Sequence, residues 1–598
     1  MPDTPEQIYT DRLTRATELR DFAHRRWSLL GNIRLVFAIL AIVGTWQEWQ
    51  NPATVWKTVL LTGVLGFVVV ALQQRRARGV RDTLDTAISV NQKALHRLHH
   101  VWEHLPVPPE SGADRAHPYA WDLNIVGDAS LAQRIGTPAT SHGWRALYSS
   151  LLDDATGENL PARQSAVLEL SGKLDLRQRV EAAASDDIPD ALPLETWAVG
   201  LNLLDTRAWL RWAAIIGPAT VVVCAVLTAL GIVPWVAMLL PITFNTLVFM
   251  LAGGNAAADV RKVTGMRDAV SNYREIMAGI SSDSPDAPLL ADLDRRLSGA
   301  SLAMGSLART VNFVMPAGSM LYFPLQMLFM WDINVLSRLE HWPSRHGRHV
   351  ARWLDAMGEW EALAALSVLT HDHPEWTFPT VGPASEGFTA TQLAHPLLVP
   401  DIAVANDVAI TPRGTFLFVT GSNMSGKSTL LRAIGVNVVL AQAGAVVAAT
   451  SLVMPPLQVS CCMRVEDSLA QGVSFFMAEL RRLKAVIDRV QAPDGRTPLY
   501  LLDEILQGTN TAERQIASRR VLEQLTTLPA LGAVSSHDLE LITGTALEQA
   551  AIPVHFAEQF HRDEDGPQMT FDYLLRPGLA TSSNAIRLME LIGFDIHE

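Results

Sequence analysis

The chain of 598 residues contains three cysteines, Cys224, Cys461 and Cys462. An odd, sparse set without C-x-x-C spacing excludes a disulfide framework and a cysteine-ligated zinc site. The adjacent pair Cys461 and Cys462 reads as core residues in a reducing compartment. Charge is also scarce. Asp, Glu, Lys and Arg make up 18% of the residues against 48% apolar, which excludes a disordered chain. Positive charge is the minority sign, with 48 Lys and Arg against 61 Asp and Glu, a net of −13. That balance argues against a chain coated in nucleic acid but leaves room for local basic patches. A cleavable leader is not expected. The first apolar stretch begins at about residue 33, lacks a small-x-small cleavage site and is followed at once by another.

What the chain has in excess is apolar runs. Its mean hydropathy is +0.16, high for a wholly soluble protein of this length. Four runs, at about 33–49, 55–72, 212–230 and 232–251, approach the roughly 20 residues that span a bilayer. Trp46, Trp49 and Trp56 cluster around the first connection, as interfacial aromatics do. Gly231 and Pro234 predict a tight turn between the third and fourth runs. Arg20, Arg25, Arg26 and Arg34 precede the first run, and Arg75, Arg76, Arg78 and Arg81 follow the second. Arg207 and Arg211 precede the third, and Arg261 and Lys262 follow the fourth. The positive-inside rule then puts both hairpin turns outside and every large soluble part in the cytoplasm. The expected location is the inner membrane, multi-pass, with lipid as a partner. The competing reading is four buried helices of a soluble protein. A fifth apolar stretch, 311–331, carries Asn312, Pro316, Gly318, Pro324 and Gln326. A fifth crossing would move the rest of the chain outside, so a buried or membrane-grazing helix pair is expected there.

From about Asp401 the pattern changes to short β-rich runs alternating with helices. The stretch GTFLFVT, 414–420, reads as a buried strand. It leads into GSNMSGKST, which is Gly421, Ser422, Asn423, Met424, Ser425, Gly426, Lys427, Ser428 and Thr429, and then into an apolar-periodic helix. This is G-x4-G-K-S in the strand–loop–helix context that a phosphate-binding loop requires. The glycines let backbone N–H groups face phosphate oxygens, and the helix N-terminus adds positive potential. Lys427 suits the β- and γ-phosphates of ATP, and Ser428 suits Mg²⁺. The run LYLLDE, 499–504, reads as a second central strand that delivers Asp503 to the Mg²⁺ shell and Glu504 as general base. A third strand, LGAVSSHD, ends in His537, placed to sense the γ-phosphate.

Asp-Glu after a strand with a downstream His describes ABC-superfamily ATPases broadly, but the transporter signature LSGGQ is missing. In its place stands LAQGVSFFMAEL, 469–480, which resembles the MutS-family signature at Gly472, Ser474, Phe476, Met477 and Glu479, with Phe475 where the family has Thr. TGSNMSGKST, LAQAGAVVAA and DEILQGTNT are similar to further stretches of that family, as are His395-Pro396 with Asn406 and the C-terminal FDYLLRPGLATSSNAIRLMELIGF. More faintly, residues 121–152, Arg163-Gln164 and the helices near 331–342 and 359–369 resemble its helical core.

The apolar runs and the resemblance together imply a mixed fold. Four transmembrane helices in two hairpins join an all-α MutS-like core and lever and a C-terminal α/β P-loop (ABC-type) ATPase domain. The expected segments are 1–110 with the first hairpin, 111–200 for the first part of the core, 201–260 for the second hairpin, 261–385 for the rest of the core, and 386–598 for the ATPase. The family's adenine-stacking aromatic falls near Ala403, and Asn406 is expected among the nucleotide-binding residues. The mismatch-reading domain and a nuclease tail are not expected, and the second hairpin stands where the family's DNA clamp is inserted. The resemblance also implies a homodimer, in which Ser474 of one subunit reaches the nucleotide held by Lys427 of the other. The expected function is a membrane-anchored, Mg²⁺-dependent ATPase that couples hydrolysis to motion of its core. A membrane-tethered DNA-binding ATPase and an ABC-type transporter are the alternatives, and a DNA or protein partner is not identified.

Overall fold

A computed structural model describes residues 4–153, 159–183, 192–199, 209–253, 260, 263–315, 318–382, 385–463, 475–507, 510–563 and 566–580. The chain groups into two compact units, one of Met1–Val107 with Asp128–Arg134 and Leu397–Ile402, the other of Pro108–Gly127, Ile135–Pro396 and Ala403–Glu598.

The first unit is dominated by a helical hairpin, α1 (Pro5–Gln50) and α2 (Thr54–Leu98). A capping box starts α1: the Thr4 hydroxyl accepts from the Gln7 N–H, and the Gln7 side chain accepts from the Thr4 N–H. Small residues line the seam. A Cβ on Gly44 would lie 2.7 Å from the Leu60 nitrogen, so the two backbones meet there only because no side chain intervenes. The outer apolar face stays bare, and only 11% of the most apolar window of either helix is buried.

The second unit begins with core helices α3 (Ser141–Leu152) and α4 (Leu160–Ser171). Next come the apolar α5 (Trp209–Ala229) and α6 (Leu239–Val248), then α7 (Arg267–Ile280), α8 (Ala300–Asn312) and the short α9 (Tyr322–Phe329). The 42-residue α10 (Trp331–Asp372) is the spine, on which α3, α4 and α8 pack. Among the described residues three helices, α1, α2 and α5, are long and apolar enough to cross a membrane. The fourth expected span differs. Gly231, at φ 71°, and Pro234 form the predicted turn, but the chain then continues as a 3₁₀ turn, Trp235–Met238, then α6, then a π turn, Phe249–Gly253. The apolar helix Trp235–Leu251 is short for a full span.

Among the described residues ten strands follow: β1 (Thr380–Val381), β2 (Phe388–Leu393), β3 (Asn406–Ile410), β4 (Phe416–Thr420), β5 (Ser451–Met454), β6 (Leu457–Cys462), β7 (Thr497–Asp503), β8 (Leu531–Ser535), β9 (Ala551–Asp563) and β10 (Gly566–Pro577). A small sheet has the order β1-β5-β2-β3, and the main sheet β10-β9-β4-β8-β7-β6. Only the β9–β10 pair of the main sheet is antiparallel. Every residue of β4 and β8 is buried, the continuous apolar run of a parallel strand covered on both faces. The covering helices include α11 (Lys427–Ala443), α12 (Phe475–Gln491) and α13 (Thr511–Thr526). Cys461 and Cys462 lie buried in β6, where burial pushes the Cys462 thiol up to about 12, so both are inert core residues.

Candidate active site

Parallel pairing fixes which residues meet. Val419 pairs with Ser535, and Ser535 with Asp503, so β4, β8 and β7 end level with one another. The loop after β4, the Asp503-Glu504 pair and the His537 turn therefore share the carboxyl edge of the sheet, where open α/β folds bind ligands.

The loop needs its glycines. Gly421 has φ 144° and Gly426 φ 104°, and Gly426 caps the N-terminus of α11. A Cβ at Gly426 would stand 3.3 Å from the Tyr573 ring, which lies against the loop. Met424, at φ 66°, is almost fully exposed at the loop tip. The Lys427 ammonium turns back into the loop, donating to the Gly421 carbonyl at 2.8 Å and the Ser422 carbonyl at 2.9 Å. It also stands 3.3 Å from Glu504 Oε1. The Ser425 hydroxyl is buried without a protein partner among the described residues, a donor free for a phosphate oxygen. Ser428 lies in the first turn of α11 and is half-buried.

The acidic edge is held by Ser535, which stands in the strand run LGAVSSHD. Ser535 donates its hydroxyl to Asp503 Oδ1, and the same hydroxyl accepts from the Glu504 N–H at 3.1 Å. Glu504 takes φ 46° and Leu506 φ 64°, left-handed conformations that side chains rarely adopt. Two groups brace this bend. Glu479 of α12, itself buried, accepts from the Leu506 and Gln507 N–H groups. Gln507 in turn donates to Glu504 Oε2 at 2.8 Å. His537 Nδ1 lies 3.9 Å from Glu504 Oε1, and its Nε2 is 3.3 Å from the Arg514 guanidinium. A cavity of about 20 Å³ beside Glu504, lined also by Gln507, Arg514, Ser535 and His537, has room for one water.

The structure thus brings together the 421–429 loop, Asp503, Glu504 and His537. It uses Asn406 differently. The Asn406 amide donates to the Tyr573 carbonyl at 3.0 Å and accepts from the Leu575 N–H at 2.7 Å, tying β3 to a bulge in β10. Asn406 thus acts as a clasp between two strands, and its contact with a nucleotide stays an expectation. Gly472 and Ser474 lie outside the described residues, as do residues 581–594 of the C-terminal motif. Tyr573, Glu479, Ser535 and Gln507 all stand in stretches that the sequence singles out, but their contacts could not be read from it. Glu479 stands within the signature and Ser535 two positions before His537, but neither position announces its partner.

No cluster of three or more His, Cys, Asp or Glu side chains able to hold a metal occurs among the described residues. Asp503 and Ser428 nevertheless suit Mg²⁺, which is commonly held by one or two protein oxygens with phosphate and water completing its shell.

Residues 417–597 match the family model described as MutS domain V. The chain is 30% identical over 267 residues to "DNA mismatch repair protein MSH6" of Arabidopsis thaliana, a match covering 42% of this chain and 20% of that protein. It is 32% identical over 250 residues to "DNA mismatch repair protein MutS 2" of Halobacterium salinarum, covering 41% and 27%. It is 33% identical over 226 residues to "Endonuclease MutS2" of Thermomicrobium roseum, covering 36% and 26%. The chain therefore spans between 20 and 27% of the length of these relatives. Residues 417–597, most of the C-terminal α/β domain, are thus similar to MutS domain V.

Proposed function

We propose that this protein is a membrane-anchored, MutS-like ATPase of the cytoplasmic membrane, working as a homodimer with its ATPase domains in the cytoplasm. The observation that carries the reading is the meeting of Lys427, Asp503, Glu504 and His537 at the ends of three adjacent parallel strands, with Lys427 3.3 Å from Glu504.

The loop N–H groups and Lys427 bind the phosphates of ATP, and the ammonium exchanges its carbonyl partners for phosphate oxygens. Ser428 and Asp503 would hold Mg²⁺, which would supply charge neutralisation at the phosphates. Glu504 accepts the proton of the attacking water, and the brace from Ser535, Glu479 and Gln507 holds its carboxylate in place. His537 contacts the γ-phosphate. Ser474 of the opposite subunit completes each site, so nucleotide closes the dimer and hydrolysis releases it. The bare apolar faces of α1, α2 and α5 support membrane anchoring, because soluble proteins rarely expose such surfaces.

Replacing Glu504 by Gln tests the assignment. The variant is expected to bind ATP normally and lose roughly 100-fold or more in turnover, the upper range for a missing general base. Phosphate release at the native rate would refute the role of Glu504.

A second reading, a DNA-binding ATPase, has one observation in its favour. Arg338, His341, Arg345, Arg348 and Arg352 are all exposed on α10 and recur at helical spacing over roughly 20 Å. Binding to duplex DNA that weakens steeply with added salt would support it.

A further inference from the structure

The stretch between α8 and α10 has no part in the ATPase reading, yet its construction is specific. The eight-residue α9 ends at Met330, which takes φ 47° and turns the chain into α10. Apolar side chains at its start point away from the protein: Met320 is 96% exposed, Leu321 61% and Phe323 59%, with Phe313 also bare. In water that patch is costly. The same helix packs on α5 and α6, whose own outer residues Val222, Leu240 and Leu247 are equally bare. The exposed face of α9 therefore extends an apolar surface that these two helices already present.

The backbone is treated as if no water were available. A helix that stops leaves its last carbonyls without helical donors. Here the Gln326 carbonyl accepts from the Met330 N–H at 2.9 Å. Asn245 of α6, fully buried, donates its amide to the carbonyls of Met327 at 3.0 Å and Leu328 at 3.2 Å. Asn334 of α10 donates to the Phe329 carbonyl at 2.8 Å. The Asn334 amide also reaches the Ala214 carbonyl at 3.0 Å, the one that Pro218, lacking an N–H, leaves without a helical partner. On the other side of this break, the buried Gln326 side chain accepts from the Asp332 N–H at 3.1 Å, and the Tyr322 hydroxyl donates to the Asp332 carboxylate at 2.6 Å. Gly217 makes the arrangement possible, because a Cβ there would run into the Asn245 amide oxygen and stand 3.0 Å from the Met330 sulfur. Breaks in helical backbone are tolerated at bilayer depth only when neighbouring protein groups take up the freed carbonyls.

We propose that residues 318–329 enter the bilayer as a re-entrant segment docked on α5 and α6, with Met320, Leu321 and Phe323 facing lipid. The proposal rests on the membrane reading above. Met330 lies against Gly217, and Asn334 against Ala214, so α10 leaves toward the N-terminal end of α5, the end bearing Arg211. The segment goes in and returns on one side, which keeps α10 and the nucleotide site on the side where α5 starts.

The test uses the full-length protein with Cys224→Ala, leaving Cys461 and Cys462 buried. Single cysteines replace Met320, Leu321, Val222 of α5 or Arg348 of α10, each carrying an environment-sensitive fluorophore in phosphatidylcholine liposomes. The labels at 320 and 321 are expected to lose fluorescence to doxyl-labelled lipid and not to external iodide, as at 222. The label at 348 should respond in the reverse way. Iodide quenching at 320 and 321, with 222 still quenched by lipid, overturns the re-entrant segment and leaves the membrane reading intact. Iodide quenching at 222 overturns the membrane reading itself. Protection at 320 and 321 from both quenchers means that protein covers the face, which also overturns the proposal.

Discussion

Glu504 holds a backbone conformation, φ 46°, that costs on the order of 1–3 kcal/mol for a non-glycine residue. Such a bend persists because its surroundings over-determine it. The Ser535 hydroxyl does two jobs, one toward Asp503 and one toward the Glu504 N–H. Ser535→Ala removes both, and a lost hydrogen bond of about 1–1.5 kcal/mol corresponds to roughly tenfold in rate. Turnover is expected to fall by about that factor with ATP affinity nearly unchanged, as a steady-state assay beside a nucleotide titration would show. Loss of ATP binding instead would place Ser535 in the binding loop's support.

A second residue prediction concerns pH. Glu361 on α10 is wholly buried, and burial pushes its carboxyl up to about 7, although Thr140 and the Ala139 N–H both donate to it. In the unfolded chain it ionises near 4.5, so the folded state holds the proton more tightly between those two values. Stability contributed this way is complete below about pH 4.5 and is lost as pH rises toward 7. At roughly 1.4 kcal/mol per pH unit the loss is on the order of 3 kcal/mol. Thermal unfolding across this range should show the decline in the native protein and a flatter profile in Glu361→Gln. Equal slopes in the two proteins would remove Glu361 as the cause.

At the scale of elements, α12 joins the signature region to the catalytic bend through one carboxylate. Glu479 accepts from the Leu506 and Gln507 N–H groups, and Gln507 holds Glu504. Glu479→Ala should lower kcat by at least about tenfold, given 1.5–3 kcal/mol for a hydrogen bond to a charged group, with KM little changed. Glu479→Gln keeps an acceptor oxygen and should recover part of the rate. Failure of Gln to outperform Ala would show that charge or packing, not this bond, matters. The same element shows what sequence can and cannot carry. The placement of the loop, Asp503, Glu504 and His537 at neighbouring strand ends was legible because motif spacing and strand endings are local. The link from Glu479 to residue 506 was not, since nothing local names a tertiary partner. The clasp of Asn406 on the β10 bulge was hidden for the same reason. Runs α1, α2 and α5 were legible from hydropathy. The shortened α6 was not, because hydropathy does not report the 3₁₀ and π turns that flank it.

For the whole molecule, the helical core touches the nucleotide domain at fixed points. The Cys461 N–H donates to the Pro118 carbonyl at 2.8 Å, Arg482 of α12 pairs with Asp122 at 3.1 Å, and Arg163 of α4 donates to the Ala443 carbonyl at 2.9 Å. These contacts lie at β6, at α12 and at the end of α11, and α4 in turn packs on α10. Under the proposal of sites shared between two subunits, that chain of contacts would couple hydrolysis to the helical core. Shared sites are the central claim, and subunit mixing tests them most directly. Lys427→Ala and Ser474→Ala proteins should each be nearly inactive alone. Mixed, they form heterodimers with one intact Lys427–Ser474 site. Random exchange in an isologous dimer should then restore up to about a quarter of the native ATPase rate. A mixture no more active than its two components, with exchange verified by tagged subunits, would contradict the shared site.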